Sequence, residues 1–286
     1  MNLKDIIPDT SPIAFPGLFG DWQFTGGAKA LDVGHGVYWY GVFIAVGLLL
    51  ALWFCAKRAE RFALTEDNVL DAVLWCVPFG ILGARLYYVV FYLDFYRNAD
   101  GSLDFAKMLR IWDGGLAVYG AVLAGCLTVY LVSRAKKFSF PAMMDDLVLG
   151  VLIGQVIGRW GNFMNREAFG AVTDAPWRMR LWAETGEFYD VHPTFLYESL
   201  WNLAGFLLLW LLVTPRRRFD GENFLCYLLW HGLGRLWIEG LRADSLYLFD
   251  VTLFGAPVRV SQALSAVLVV VAAAVLVSRL RREKTQ

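Results

Sequence analysis

Seven runs of about twenty mostly apolar residues dictate what this chain can become. They lie at about 37–56, 70–92, 114–133, 143–160, 195–213, 223–241 and 260–278. A helix of about twenty residues crosses roughly 30 Å of hydrocarbon. Backbone N–H and C=O groups find no water there, so a spanning segment of this length satisfies them internally, as helix. The expected fold class is therefore an all-α integral membrane protein with seven transmembrane helices. The composition agrees: 58% of residues are hydrophobic, 18% are charged and the mean hydropathy is +0.49. A soluble domain carries about a quarter charged residues.

Net charge is zero, but its distribution is informative. Lys57, Arg58 and Arg61 follow the first run. Arg134, Lys136 and Lys137 follow the third, Arg216, Arg217 and Arg218 the fifth, and Arg279, Arg281, Arg282 and Lys284 the last. All four clusters fall on one side if the runs alternate in direction. By the positive-inside rule that side is cytoplasmic, which places the N-terminus outside and the C-terminus inside. The N-terminal "MNLKDIIPDTSPIAFPG" lacks the charged-then-apolar pattern of a cleaved signal peptide, so the first run is expected to direct insertion.

The runs fit a single membrane-embedded domain covering 1–286, with no linker or internal repeat. Two outside connections are long: 93–113, and a head insertion at about 161–194 rich in Trp, Arg and Glu. Loops of that length are usually functional. Cys55, Cys76, Cys126 and Cys226 are scattered through apolar runs and read as small buried hydrophobes. His35, His192 and His231 lack metal-ligand spacing, and nothing resembles a nucleotide-binding loop or a nucleic-acid motif.

Charged residues inside such runs are the strongest functional signal. An Arg or Asp at a helix centre costs on the order of 2.5–3.5 kcal/mol on insertion scales. In "LLWHGLGRLWIEGLRADS", His231, Arg235, Glu239 and Arg242 share one helix face. Arg235 and Glu239 can neutralise each other across one turn, but that leaves His231 and Arg242 on the stripe. Arg85 in "GARLYY" is either a ligand or a counter-charge for a buried acid such as Glu239 or Glu198. Tyr40 and Tyr119 sit near span ends, where an aromatic belt alone explains a tyrosine.

The fourth run ends in "IGRWGNFMNREAFG", which packs Arg159, Asn162, Asn165, Arg166 and Glu167 between glycines. Gly150, Gly154 and Gly158 recur every fourth residue, a spacing that lets a neighbouring helix pack closely. Several cations and amide donors at headgroup depth suit a phosphate or another anion.

This stretch resembles the signature of bacterial phosphatidylglycerol–prolipoprotein diacylglyceryl transferases. "WYG" at 39–41, "GARLYY" at 83–88, "GGLAVYG" at 114–120, "HPTFLYES" at 192–199 and "GRLWIEGLRADS" at 234–245 match in the family's order. The resemblance implies a multi-pass enzyme of the bacterial inner membrane that needs no cofactor. It would move the diacylglyceryl group of phosphatidylglycerol onto the lipobox cysteine of a prolipoprotein signal peptide. It implies Arg159 and Asn162 as headgroup ligands, with Asn165, Glu167 and Gly170 shaping the loop. Tyr40, Arg85 and Arg242 join the substrate site, and Arg235 and Glu239 form the functional pair of the late helix. Either His231 or Glu239 would take the thiol proton, with Tyr119 and His231 exchanging roles relative to some members. Arg166 departs from the small or amide residue common at its position. A transporter or channel for an anionic lipid or solute would also want buried arginines, broken helix ends and glycines, and a lipid phosphohydrolase would release the headgroup without an acceptor peptide.

Overall fold

Thr65 shows how the polar punctuation of this sequence starts a membrane helix. Its hydroxyl accepts from the Asn68 N–H at 3.1 Å, and the Asn68 side chain accepts from the Thr65 N–H at 3.1 Å. This capping box satisfies two orphan donors, and Glu66 and Asp67 add negative charge at the positive end of the helix dipole. The computed structural model of the chain describes residues 3–32, 36–98, 100–242, 247–253 and 256–283. His35, Lys284 and the "ADS" end of the late motif lie outside them.

Nine α-helices occur among the described residues: α1 (Pro16–Phe19), α2 (Trp39–Ala56), α3 (Glu66–Phe91), α4 (Phe105–Leu109), α5 (Val118–Lys136), α6 (Phe140–Met164), α7 (Thr194–Leu208), α8 (Glu222–Leu241) and α9 (Val260–Glu283). A π-helical turn, Leu209–Val213, prolongs α7. Among the described residues, six helices are long and apolar enough to cross a membrane: α2, α3, α5, α6, α7 with its extension to Arg216, and α9. The sixth expected run, 223–241, forms the 20-residue α8, which carries Glu222, Arg235 and Glu239 and stands outside that set. Outward side chains such as Leu49, Leu74 and Val270 are at least 65% exposed, which suits contact with acyl chains rather than water.

The third run was expected to begin at 114, yet α5 begins at Val118. Gly114 and Gly115 have φ of 87° and 75°, a left-handed conformation that a helix excludes and glycine tolerates.

The chain divides into two compact units. One takes the chain up to Ala51 together with everything from Leu147 on, and the other is Leu52–Asp146. In the second unit α3 and α5 meet through glycines: a Cβ on Gly83 would strike Ala124 and the Gly120 carbonyl. In the first unit a Cβ on Gly47 of α2 would lie 3.3 Å from the Gly154 Cα, so α2 and α6 approach backbone to backbone. A neighbouring helix thus packs closely on the α6 glycine stripe at Gly154, although Cβ atoms on Gly154 and Gly158 would themselves meet nothing within 4 Å. The close contact is set by Gly47. Of the cysteines only Cys55 is buried; Cys76, Cys126 and Cys226 are half-buried, and all four are thiols.

The all-α expectation needs a correction in the head. Strands β1 (Ile13–Ala14), β2 (Gln23–Phe24), β5 (Met179–Trp182) and β6 (Phe188–Val191) form an antiparallel sheet ordered β2-β1-β5-β6. Two hairpins, β3 (Lys29–Leu31) with β4 (Val37–Tyr38) and β7 (Tyr247–Leu253) with β8 (Ala256–Arg259), are separate. In the four-stranded sheet Ile13 pairs with Leu181 and Met179 with Val191. These four join Ile7, Phe169 and Phe195 in one buried cluster. Each such side chain contributes about 1.5–3 kcal/mol on burial. The head is thus a packed unit, closed by an N-terminal segment that hydropathy alone does not connect to it.

Candidate functional site

α6 runs to Met164, four residues beyond the expected end of the fourth span, and so delivers the signature loop at its C-terminal end. Glu167 organises that loop. Its N–H donates to the Asn162 carbonyl at 3.0 Å, and its Oε1 accepts from the Asn162 Nδ2 at 2.9 Å and the Asn165 Nδ2 at 3.3 Å. Arg159 Nη1 donates to Asn162 Oδ1 at 3.4 Å, linking the loop to the helix face. Tyr40 flanks this turn: a Cβ on Gly161 would collide with its ring.

Three arginines converge on a residue outside the expected set. Glu198 of α7 is 5% exposed and lies 2.5 Å from Arg159 Nη2, 3.5 Å from Arg235 Nη1 and 3.8 Å from Arg242 Nη1. Arg235 Nη2 also lies 3.1 Å from Glu239 Oε2, so the expected pair across one turn exists but does not exhaust Arg235. Three guanidiniums carry more N–H donors than two carboxylates and an amide accept. The arginine side chains keep 15–24% of their surface, whereas Glu198 and Glu239 keep 5–6%. The carboxylates are at the back, and the cationic faces remain reachable.

Arg159 and Arg235 border a narrow cleft of about 10 Å³, lined also by Gln155, Glu198, Trp201, Asn202, His231, Gly234 and Ile238. His231 is held by its neighbour one turn earlier, Tyr227, whose ring stacks on the imidazole at 5.5 Å. Tyr227 Oη accepts from Gln155 Nε2 at 3.0 Å. Trp201 and Trp230 staple α7 to α8: each indole N–H donates to the other residue's carbonyl, at 3.0 and 2.9 Å, and the rings stack at 4.3 Å. A wider, open groove on the head, lined by residues such as Val172, Arg178 and Phe188, is remote in character from this convergence of helix-borne charge.

The remaining candidates have assigned surroundings. Gly170 is where the loop returns to α8: its N–H donates to the His192 carbonyl, it bridges to Arg242, and a Cβ there would press on His192 and the Leu241 carbonyl. Arg166 is 1% exposed and donates to the carbonyls of Ser11 (2.9 Å), Met164 and Gly26. It ties the N-terminal segment to the signature loop, and its burial pushes its pKa down, partly offset by Asp9. Arg85 and Tyr119 belong to the second unit. Arg85 is 7% exposed and donates to the carbonyls of Lys107, Met108, Arg110, Gly114 and Gly115, so it orders that loop instead of countering a buried acid. Tyr119 lies beside Tyr87, with ring centroids 6.5 Å apart.

Glu198 is the functional candidate that the charge argument passed over except as a possible partner for Arg85. Its signal was present: an acid inside an apolar run is as expensive as Arg235.

The cationic cleft lies among α6, α7 and α8, in a chain with several helices of membrane-spanning length. The family model of prolipoprotein diacylglyceryl transferase matches residues 28–278. Proteins named phosphatidylglycerol–prolipoprotein diacylglyceryl transferase are similar over most of their length. That of Listeria monocytogenes is 40% identical over 260 residues, covering 87% of this chain and 88% of the relative. That of Geobacillus kaustophilus is 41% identical (85% and 88% covered), and that of Limosilactobacillus reuteri 41% (85% and 87%). The chain belongs to the prolipoprotein diacylglyceryl transferase family.

Proposed function

We infer that the chain transfers the diacylglyceryl group of phosphatidylglycerol to the lipobox cysteine thiol of a prolipoprotein signal peptide, releasing glycerol phosphate. In this reading it is a seven-span protein of the bacterial inner membrane, N-terminus outside, with α8 as the seventh span. Four basic clusters at alternate helix ends support that orientation. The observation that carries the chemistry is the triple approach of Arg159, Arg235 and Arg242 to Glu198.

The phosphodiester of the lipid carries one negative charge, and the departing phosphate monoester gains a second as the carbon–oxygen bond breaks. Preorganised guanidiniums in a site that excludes water interact more strongly with that growing charge than with the ground state. Glu198 and Glu239 hold the guanidiniums in place and keep their mutual repulsion bearable. Asn162, ordered by Glu167, adds an amide beside Arg159. Gly170 lets the loop reach α8 at Arg242. Tyr40 closes the Arg159 turn, and within the second unit Arg85 orders its own loop beside Tyr119. His231 takes the thiol proton: it lines the cavity, whereas Glu239 is held by Arg235. The nucleophile belongs to the peptide, and the reaction so written requires no cofactor.

The test is the purified protein in phosphatidylglycerol vesicles with a labelled lipobox peptide. Diacylglyceryl transfer to the peptide is expected. Lipid movement without peptide modification, or headgroup release without acceptor peptide, would contradict the proposal.

A further inference from the structure

Gln155 lines the same cavity as Arg159 and sits one turn before it on α6. On α8, His231 likewise sits one turn before Arg235. The two helices therefore present two rungs about 6 Å apart. One rung is cationic, with Arg159 and Arg235; the other is neutral and polar, with Gln155 and His231, and Tyr227 lies one turn further along α8 from the arginines. The polar rung is tied across the helices, because Gln155 Nε2 donates to Tyr227 Oη at 3.0 Å and the Tyr227 ring stacks on His231. With its amide nitrogen fixed, Gln155 directs its Oε1 elsewhere. That oxygen is buried and has no hydrogen-bond partner among the described residues. A buried acceptor left unmatched costs about 1–3 kcal/mol, so its retention beside a cavity points to a donor supplied by a ligand.

We propose that Gln155 Oε1 is the docking point of the lipobox thiol, and that the thiol enters on the Gln155–His231 rung, on the opposite side of the reacting carbon from the arginines. This rests on the transferase reading above. Displacement at a saturated carbon requires the nucleophile to approach in line with the leaving group. If the arginines hold the phosphate, the sulfur must come from the far side of the glyceryl carbon. A near-attack separation of about 3–3.5 Å, plus the two bonds joining that carbon through oxygen to phosphorus, spans about one helical turn. That is the spacing between the rungs.

The thiol S–H first donates to Gln155 Oε1. His231 then takes the proton as a sulfur–carbon bond forms and the carbon–oxygen bond breaks, its electron pair leaving on glycerol phosphate. Tyr227 is a positioning residue: it holds the Gln155 amide in one orientation and the His231 ring in one plane.

Four measurements on purified protein in phosphatidylglycerol vesicles test this: peptide kcat/KM, lipid KM, and inhibition by two non-reactive competitors. One competitor is a lipobox peptide with serine in place of the cysteine, and the other has alanine. Gln155→Leu is expected to lower kcat/KM for the cysteine peptide at least tenfold and to weaken the serine competitor. The alanine competitor and the lipid KM should be unchanged. Tyr227→Phe should give a smaller fall of the same pattern. If Gln155→Leu weakens the serine and alanine competitors equally, or raises only the lipid KM, the thiol assignment is overturned. A wild-type protein that transfers nothing would instead refute the transferase reading itself.

Discussion

Glu198 Oε2 stands 2.5 Å from Arg159 Nη2, joining α7 to α6 across the interior of the helical assembly. The carboxylate also faces Arg235 and Arg242. Deleting one member of a buried ionic cluster strands the others' charge, at a cost of about 3–5 kcal/mol. Glu198→Ala should therefore lower thermal stability in detergent by about that amount as well as abolish transfer. Unchanged unfolding in that variant would show that Glu198 does not anchor the arginines.

Gly234 and Gly205 sit against the stapled tryptophans, and a Cβ on either would collide with the indole of Trp201 or Trp230. Gly234→Ala should destabilise by about 1–3 kcal/mol through overpacking. Gly154→Ala should be neutral or slightly stabilising, since its Cβ meets nothing and helix propensity improves by about 1 kcal/mol. Parallel thermal melts of the two variants check the contrast.

Arg166 satisfies the carbonyls of Ser11, Met164 and Gly26. Arg166→Met would leave these buried acceptors unmatched at about 1–3 kcal/mol each. The N-terminal strand should then come away from β5, raising amide exchange at Ile13 and Ala14 while α9 keeps its protection. Exchange measured by mass spectrometry reads both regions at once.

In the head, hydrogen bonding from Arg180 above all, with Arg178 assisting, holds the Asp190 carboxyl below its ordinary range, although partial burial opposes this. A depressed folded-state pKa stabilises above the unfolded value of about 3.9 and is lost as pH falls through the lower folded value. Amide protection of Met179–Trp182 should therefore decline on acidification below about pH 4. Asp190→Asn should flatten that dependence, and an unchanged profile would remove Asp190 as its source.

The helices were legible because length and hydropathy leave lipid-spanning backbone one economical solution; their bounds moved by a few residues, at Gly114–Gly115 because a left-handed backbone delays α5. The α8 stripe and the signature loop were legible because charges are costly in apolar runs. Glu198 met the same criterion, but its partners lie on two other helices, and no spacing along one helix reveals three arginines meeting there. The head sheet was illegible for a different reason. β1 and β2 are two residues each, too short to show alternation, and the pairing of β2 with β1 and of β1 with β5 joins segments far apart in sequence over a shared core. Gln155 and Tyr227 carry no charge, so nothing in the sequence separated them from ordinary helix-packing residues.

The most direct measurement is the transfer rate of Arg159→Ala, with its fold verified by amide exchange, in phosphatidylglycerol vesicles supplied with a lipobox peptide. Loss of one preorganised donor to the developing phosphate charge should lower turnover by about 10²–10³. Wild-type transfer by a folded Arg159→Ala protein would contradict the placement of the lipid phosphate at this cluster.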